Sequence, residues 1–157
     1  MAKEVERKFL VSGTHWRDAV EAEIRILQFY LATGPGRSVR IRIKDGAEAI
    51  LTLKFGAGPR ERDEFEYPVP LPEALEMLPF ALGRVIEKTR HHVSHRGYLY
   101  EVDVFGGALA GLVIAELETA DEVPDEMLPD WVGREVTGEP AYYNASLALG
   151  GLPEIAA

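Results

Sequence analysis

The stretch Glu4-Val5-Glu6-Arg7-Lys8-Phe9-Leu10 decides how this chain is read. Side chains of a strand alternate between its two faces. Glu4, Glu6 and Lys8 therefore share one face, and Val5, Arg7 and Phe9 the other. Two carboxylates and an ammonium on one face do not fill a core. They suit either a solvated, self-paired edge or a cavity that holds a divalent cation and an anion together. Later strands decide between the two.

The same alternation recurs along the chain. In the strand over 38–44, Val39, Ile41 and Ile43 oppose Arg40, Arg42 and Lys44. The strand over 49–55 puts Lys54 on the face of Thr52. Over 62–69, Phe65, Tyr67 and Val69 oppose Glu64 and Glu66, and Pro68, lacking an N–H, ends the strand or marks an edge. Residues 84–93 bring Lys88, Arg90 and His92 to one face. Glu101 and Asp103 share a face over 98–105, as do Glu116 and Glu118 over 112–119. A wet antiparallel sheet also alternates, but its polar face mixes Thr, Ser, Gln and scattered charge.

Closing such a sheet into a barrel turns the charged faces inward and the apolar faces out. Inward charges must then be paired, hydrated or bound to ligand. Carboxylates and cations together point to a metal–polyanion site. Oxygen-only donors and the absence of cysteine favour Mg²⁺ or Mn²⁺ over zinc. Arginine and lysine suit phosphoryl oxygens.

Between these strands the sequence offers short helices and turns. Trp16, Ala19, Val20 and Glu23 have helical spacing, which predicts a short amphipathic helix over 16–23 before a strand over 24–31. Thr33-Gly34-Pro35-Gly36, Asp45-Gly46 and Arg96-Gly97 read as turns, and Gly56-Ala57-Gly58-Pro59 as a rim or simple connection. Helices are expected over 71–78, with Pro72 in the first turn, and over 142–149 after Pro140. A turn or short helix is expected over 124–130, and a brief last strand at Glu135-Val136-Thr137.

The 157 residues, 46% hydrophobic, fit one domain over 1–157 with a full core. No apolar run is long enough to span a membrane, and zero cysteines suit a reducing cytoplasm. A net charge of −9 argues against nucleic acid as a partner of the whole surface. The chain is therefore expected to be cytoplasmic, without membrane partners, as a monomer or homodimer.

Taken together, Glu4-x-Glu6-x-Lys8 resembles the ExExK signature of the CYTH superfamily, the triphosphate tunnel metalloenzymes. Arg40-x-Arg42, Leu51-Thr52-Leu53-Lys54, Glu64-x-Glu66, Lys88-x-Arg90, Glu101-Val102-Asp103 and Glu116-x-Glu118 follow in the family's order, so that the likeness runs from Glu4 to about Asn144. The resemblance implies an α+β fold, a closed eight-stranded antiparallel β-barrel with helices packed outside. It implies metal-dependent hydrolysis of inorganic tripolyphosphate, and sometimes of nucleoside triphosphates such as ATP. Lys8, Arg40, Arg42, Lys54, Lys88 and Arg90 are then expected to hold the phosphates. Glu4, Glu6, Glu66, Asp103, Glu116 and Glu118 are expected to serve the metal. Lys8, Lys54, Lys88 and Glu64 are expected to take part in catalysis, Lys54 or Lys88 being candidate bases. Glu101 and Asp103 are also candidates for fixing the tunnel arginines. A class IV-type adenylyl cyclase and a non-catalytic triphosphate-binding module are the alternatives. Lys44 beside its turn is expected to be solvated, Trp16 and Trp131 to lie in the core, and Tyr142, Tyr143 and Asn144 to dock the last helix or line the rim. His91, His92 and His95 lack the pattern of a zinc site.

Overall fold

Among the described residues, nine antiparallel strands form one sheet that curls until its ends meet. They are β1 (Ala2–Val11), β2 (Val20–Gly34), β3 (Arg37–Lys44), β4 (Glu48–Phe55), β5 (Glu61–Val69), β6 (Leu82–His95), β7 (Tyr98–Phe105), β8 (Val113–Glu118) and β9 (Val132–Glu135), with helices α1 (Leu71–Met77) and α2 (Asn144–Gly150). The computed structural model describes the backbone of residues 2–56 and 61–153, and side chains from Val5 onward within those segments. The Glu4 side chain and Ala57-Gly58-Pro59, singled out in the sequence, lie outside the described residues.

Strands β5-β4-β3-β2-β6-β7-β8-β1 are neighbours in that order, and a β5–β1 pairing closes the barrel. Among the described residues, β1 pairs with β5 from Ala2 opposite Glu64 to Val5 opposite Glu61. From Phe9 onward β1 pairs instead with β9, while β8 takes Glu6 to Leu10. Asp45 and Gly46 both have positive φ, 51° and 67°, the geometry of a two-residue hairpin turn that matches strand twist.

The alternation puts apolar side chains on the outside of the barrel, where two clusters cover them. Phe9, Trp16, Val93, Tyr100, Val102, Leu117 and Trp131 form one. Phe29, Ile41, Ile43 and Ala49 form the other beneath Ala74 of α1. Both tryptophans are core residues, as expected. A third cluster lies inside: Tyr30, Ile86, Phe105 and Ile114 share the parity of the charged residues and pack against Tyr142, Leu147 and Ala148. Thus α1 packs on the outer wall, whereas α2 covers part of one end of the tunnel.

The chain departs from the sequence reading at two places. The helix expected over 16–23 is only a 3₁₀ turn, His15–Ala19, and β2 begins at Val20. Val20 pairs with Val93, Ala22 with His92 and Ile24 with Arg90, so ladder hydrogen bonds to β6 prevail over a weak helical period. The brief last strand lies at Val132–Glu135, earlier than 135–137. No described helix is long and apolar enough to cross a membrane.

Gly83 marks the contact between β6 and α2. Its φ is +64°, and a Cβ there would overlap the Ala148 carbonyl. Gly83→Ala is expected to destabilise the fold by roughly 2–4 kcal/mol, combining left-handed strain with overpacking. Chemical denaturation checks this; an unchanged midpoint would mean that α2 shifts freely.

Candidate active site

One cavity of about 520 Å³ runs through the barrel, lined by Glu6, Lys8, Arg40, Arg42, Lys54, Glu64, Glu66, Arg90, Glu101, Glu116 and Glu118. Each of these comes from an alternating strand whose other face is apolar. Lys44 also lines the cavity, so it faces the tunnel mouth and is not simply solvated. Tyr143 and Asn144 line it too, whereas Tyr142 is buried against the inner cluster.

The deepest layer is a network of ions. Arg90 donates from Nε and Nη2 to the two oxygens of Asp103 at 2.7 and 2.8 Å. Lys88 Nζ lies 2.7 Å from Asp103 Oδ2. The remaining reach of Arg90 goes to Glu101 at 3.3 Å and Glu116 at 3.6 Å. Lys88 and Asp103 are absent from the cavity lining: they lie behind Arg90, and both oxygens of Asp103 are engaged. The structure therefore gathers Lys8, Arg40, Arg42, Lys54 and Arg90 at the surface of the tunnel and sets Lys88 beneath it.

Burial and charge shift these groups in opposite senses. Burial pushes Lys88 down to about 7, helped by Arg90 and Arg42 and resisted by Asp103. Burial likewise lowers Arg42 to about 10, with Arg40 and Arg90 adding repulsion. For Asp103 and Glu116 burial works upward, but the neighbouring cations, Arg90 foremost, outweigh it. Asp103 falls well below the carboxylate range, and Glu116 to about 2 from 4.5. A carboxylate depressed in the folded state adds stability that is present above its unfolded value and lost as pH falls through its folded one. Thermal stability in chelator is therefore expected to hold above pH 4.5 and to fall as pH drops toward 2. Melting curves over that window check it; a flat profile would mean that neither pairing holds.

The wall also contains carboxylates set directly against one another. Glu6 faces Glu118 across β1 and β8, and Glu101 faces Glu116 across β7 and β8. Like charges directly opposite are destabilising. Arg90 relieves the second pair. Glu6 and Glu118 offer hard oxygen donors of the kind that Mg²⁺ or Mn²⁺ takes. Among the described residues no three His, Asp or Glu side chains are already drawn together as a metal cluster. The histidines diverge: His91 lies outside, 3.2 Å from Glu23, while His92 Nε2 is 3.5 Å from Glu101.

Three residues were missed in the sequence. Gln28, fully buried, accepts a hydrogen bond from Arg42 Nε at 3.0 Å, and Thr52 one from Arg40 Nη2 at 3.4 Å. Both share the inward parity of their strands, which was the available signal. Arg62, two residues before Glu64 on the same face, lines the cavity and lies over the Tyr143 ring at 4.7 Å.

The CYTH domain profile matches residues 2–149. The chain belongs to the CYTH family. This CYTH chain is 40% identical over 148 residues to a protein of Acetivibrio thermocellus named inorganic triphosphatase, covering 94% of each. It is 36% identical over 150 residues to one of the same name from Nitrosomonas europaea, covering 93% of this chain and 97% of that one. A crystal structure described as an inorganic triphosphatase superposes with a TM-score of 0.70 at 33% identity, covering 98% of this chain and 99% of the other. A Hippeastrum protein described as a putative adenylyl cyclase with dominant triphosphatase activity shares the fold at 14% identity and a TM-score of 0.60, over 75% of this chain and 80% of the other.

Proposed function

We propose that this CYTH protein hydrolyses a phosphoanhydride bond of inorganic tripolyphosphate, using Mg²⁺ or Mn²⁺. The observation that carries the reading is a single cavity in which Lys8, Arg40, Arg42, Lys54 and Arg90 face Glu6, Glu66, Glu116 and Glu118. Such a cavity repels neither a polyanion nor the cation that accompanies it. The names of its relatives at 36–40% identity support the same substrate.

In this reading the five cations hold the phosphate chain and neutralise charge that spreads over phosphoryl oxygens in a loose transition state. Gln28 and Thr52 fix the guanidinium groups of Arg42 and Arg40 beforehand, which lowers the cost of reorganisation. Glu6, Glu66, Glu116 and Glu118, with Glu4, would hold metal. When bound, a divalent metal supplies charge neutralisation and a more acidic water. Asp103 and Lys88 serve by aiming Arg90, since their own charges face each other behind the cavity. Of the two candidate bases, Lys54 is the one that lines the cavity, 3.7 Å from Glu64, which makes Glu64 its positioning partner. The same reading makes the enzyme cytoplasmic, a monomer or homodimer, with a small polyanion as its partner.

Phosphate release from tripolyphosphate and from ATP, measured side by side with Mg²⁺, Mn²⁺ or chelator, tests this. Metal-dependent release that favours tripolyphosphate is expected. ATP consumed with cyclic nucleotide as product would replace the reading with cyclisation. Tight binding with no turnover under either metal would leave a binding module.

A further inference from the structure

The two ends of the cavity differ in charge. The ends of β3, β5 and β8 and the start of β7 bring Lys44, Glu66, Glu118 and Glu101 to one end. At the other, the β2–β3 hairpin, the start of β5 and the first turn of α2 bring Arg37, Arg62, Tyr143 and Asn144 together. One end is mainly acidic, and the other is basic with an aromatic ring.

Tyr143 sits beside the seam between β1 and β5. Arg62 belongs to that ladder, opposite Glu4. Lys8 of β1 and Arg62 of β5 both lie over the Tyr143 ring, with Nζ 5.8 Å and Cζ 4.7 Å from its centroid. Both distances are within cation–π reach. Lys8 Nζ also donates to the Tyr142 carbonyl at 3.2 Å. The ring is held from its own backbone as well: Tyr143 N–H donates to Pro140 O at 3.1 Å, and Leu147 N–H to Tyr143 O at 2.9 Å. Tyr143 thus fixes Arg62 at the tunnel end. A ring engaged by two cations is a wall, not a stacking platform for a base.

The ligands that such an end distinguishes differ at one phosphate. An unesterified triphosphate presents a terminal phosphate of about −1.5 to −2 at either end of the chain. A nucleoside triphosphate has one such end, and at the other an ester with lower charge and a bulky substituent. Building on the functional reading above, we propose that Arg62, positioned by Tyr143, binds the free terminal phosphate and sets the preference for inorganic over nucleoside triphosphates. Arg62 is the specificity-determining contact and Tyr143 a positioning residue.

The test is kcat/KM for tripolyphosphate and for ATP, with saturating Mg²⁺ or Mn²⁺, in wild type, Arg62→Gln, Tyr143→Leu and Tyr143→Phe, each first checked by thermal melting. The ratio of tripolyphosphate to ATP is expected to fall about tenfold or more in Arg62→Gln and in Tyr143→Leu, and to recover in Tyr143→Phe, which keeps the ring. Equal losses on both substrates, or an unchanged ratio in Arg62→Gln with wild-type turnover intact, overturn this inference alone. Wild-type protein that releases no phosphate from tripolyphosphate overturns the functional reading and this inference with it.

Discussion

Glu6→Ala is expected to reduce metal-dependent tripolyphosphate turnover by on the order of 10³-fold, or about 4 kcal/mol of transition-state stabilisation. The same substitution is expected to leave the fold intact. Glu6 stands directly opposite Glu118 on the β1–β8 ladder, and both line the cavity. If Glu6 holds metal, as proposed, its loss falls on the reaction and not on the fold. Phosphate-release kinetics and melting in chelator, on one preparation, measure both. Near-normal turnover would remove Glu6 from the metal site, and a large loss of stability would show it to be structural.

Asp103→Asn is expected to have the largest effect on stability. Asp103 is fully buried between the guanidinium of Arg90 and the ammonium of Lys88. Removing its charge leaves two buried cations facing each other. Breaking a buried pair in this way costs roughly 3–5 kcal/mol. For a chain of this size that is a fall in melting temperature on the order of 10 °C. Turnover should fall too, because Arg90 loses the carboxylate that aims it. The metal concentration for half-maximal activity separates this from a ligand role. It is expected to stay near the wild-type value, whereas loss of a ligand would raise it and leave metal-free stability intact.

Much of the site could be read from the strand pattern alone. Paired charges at i and i+2 opposite Val, Ile, Phe and Tyr give the inward face of each strand. That parity correctly placed Glu6, Lys8, Arg40, Arg42, Lys54, Glu64, Glu66, Arg90, Glu116 and Glu118 on the cavity wall. It could not separate Asp103 from Glu116, because parity fixes a face and says nothing of depth. Depth comes from the stagger of neighbouring strands: Arg90 pairs with Asp103, and Glu101 with Glu116, so Arg90 overlies one carboxylate and reaches toward the other two.

What the sequence determined by itself was the local and periodic part of the fold. Alternation gave the antiparallel strands, Asp45-Gly46 gave a hairpin, and the clustering of opposite charges on inward faces gave a cavity lined by both signs of charge. Tertiary structure decided what depends on partners distant in the chain. The 16–23 segment yields to β6 because ladder bonds outweigh a weak helical period. The short helix α2 covers part of a tunnel end because Tyr30, Ile86, Phe105 and Ile114, inward by parity yet apolar, need a cover there. Arg62 and Tyr143, 81 positions apart in the chain, meet because β5 closes against β1 and the turn before α2 comes to the same tunnel end, where Lys8 and Arg62 both lie over the ring. Periodicity is a property of neighbouring residues, whereas barrel stagger and seam closure arise only when the first and fifth strands meet.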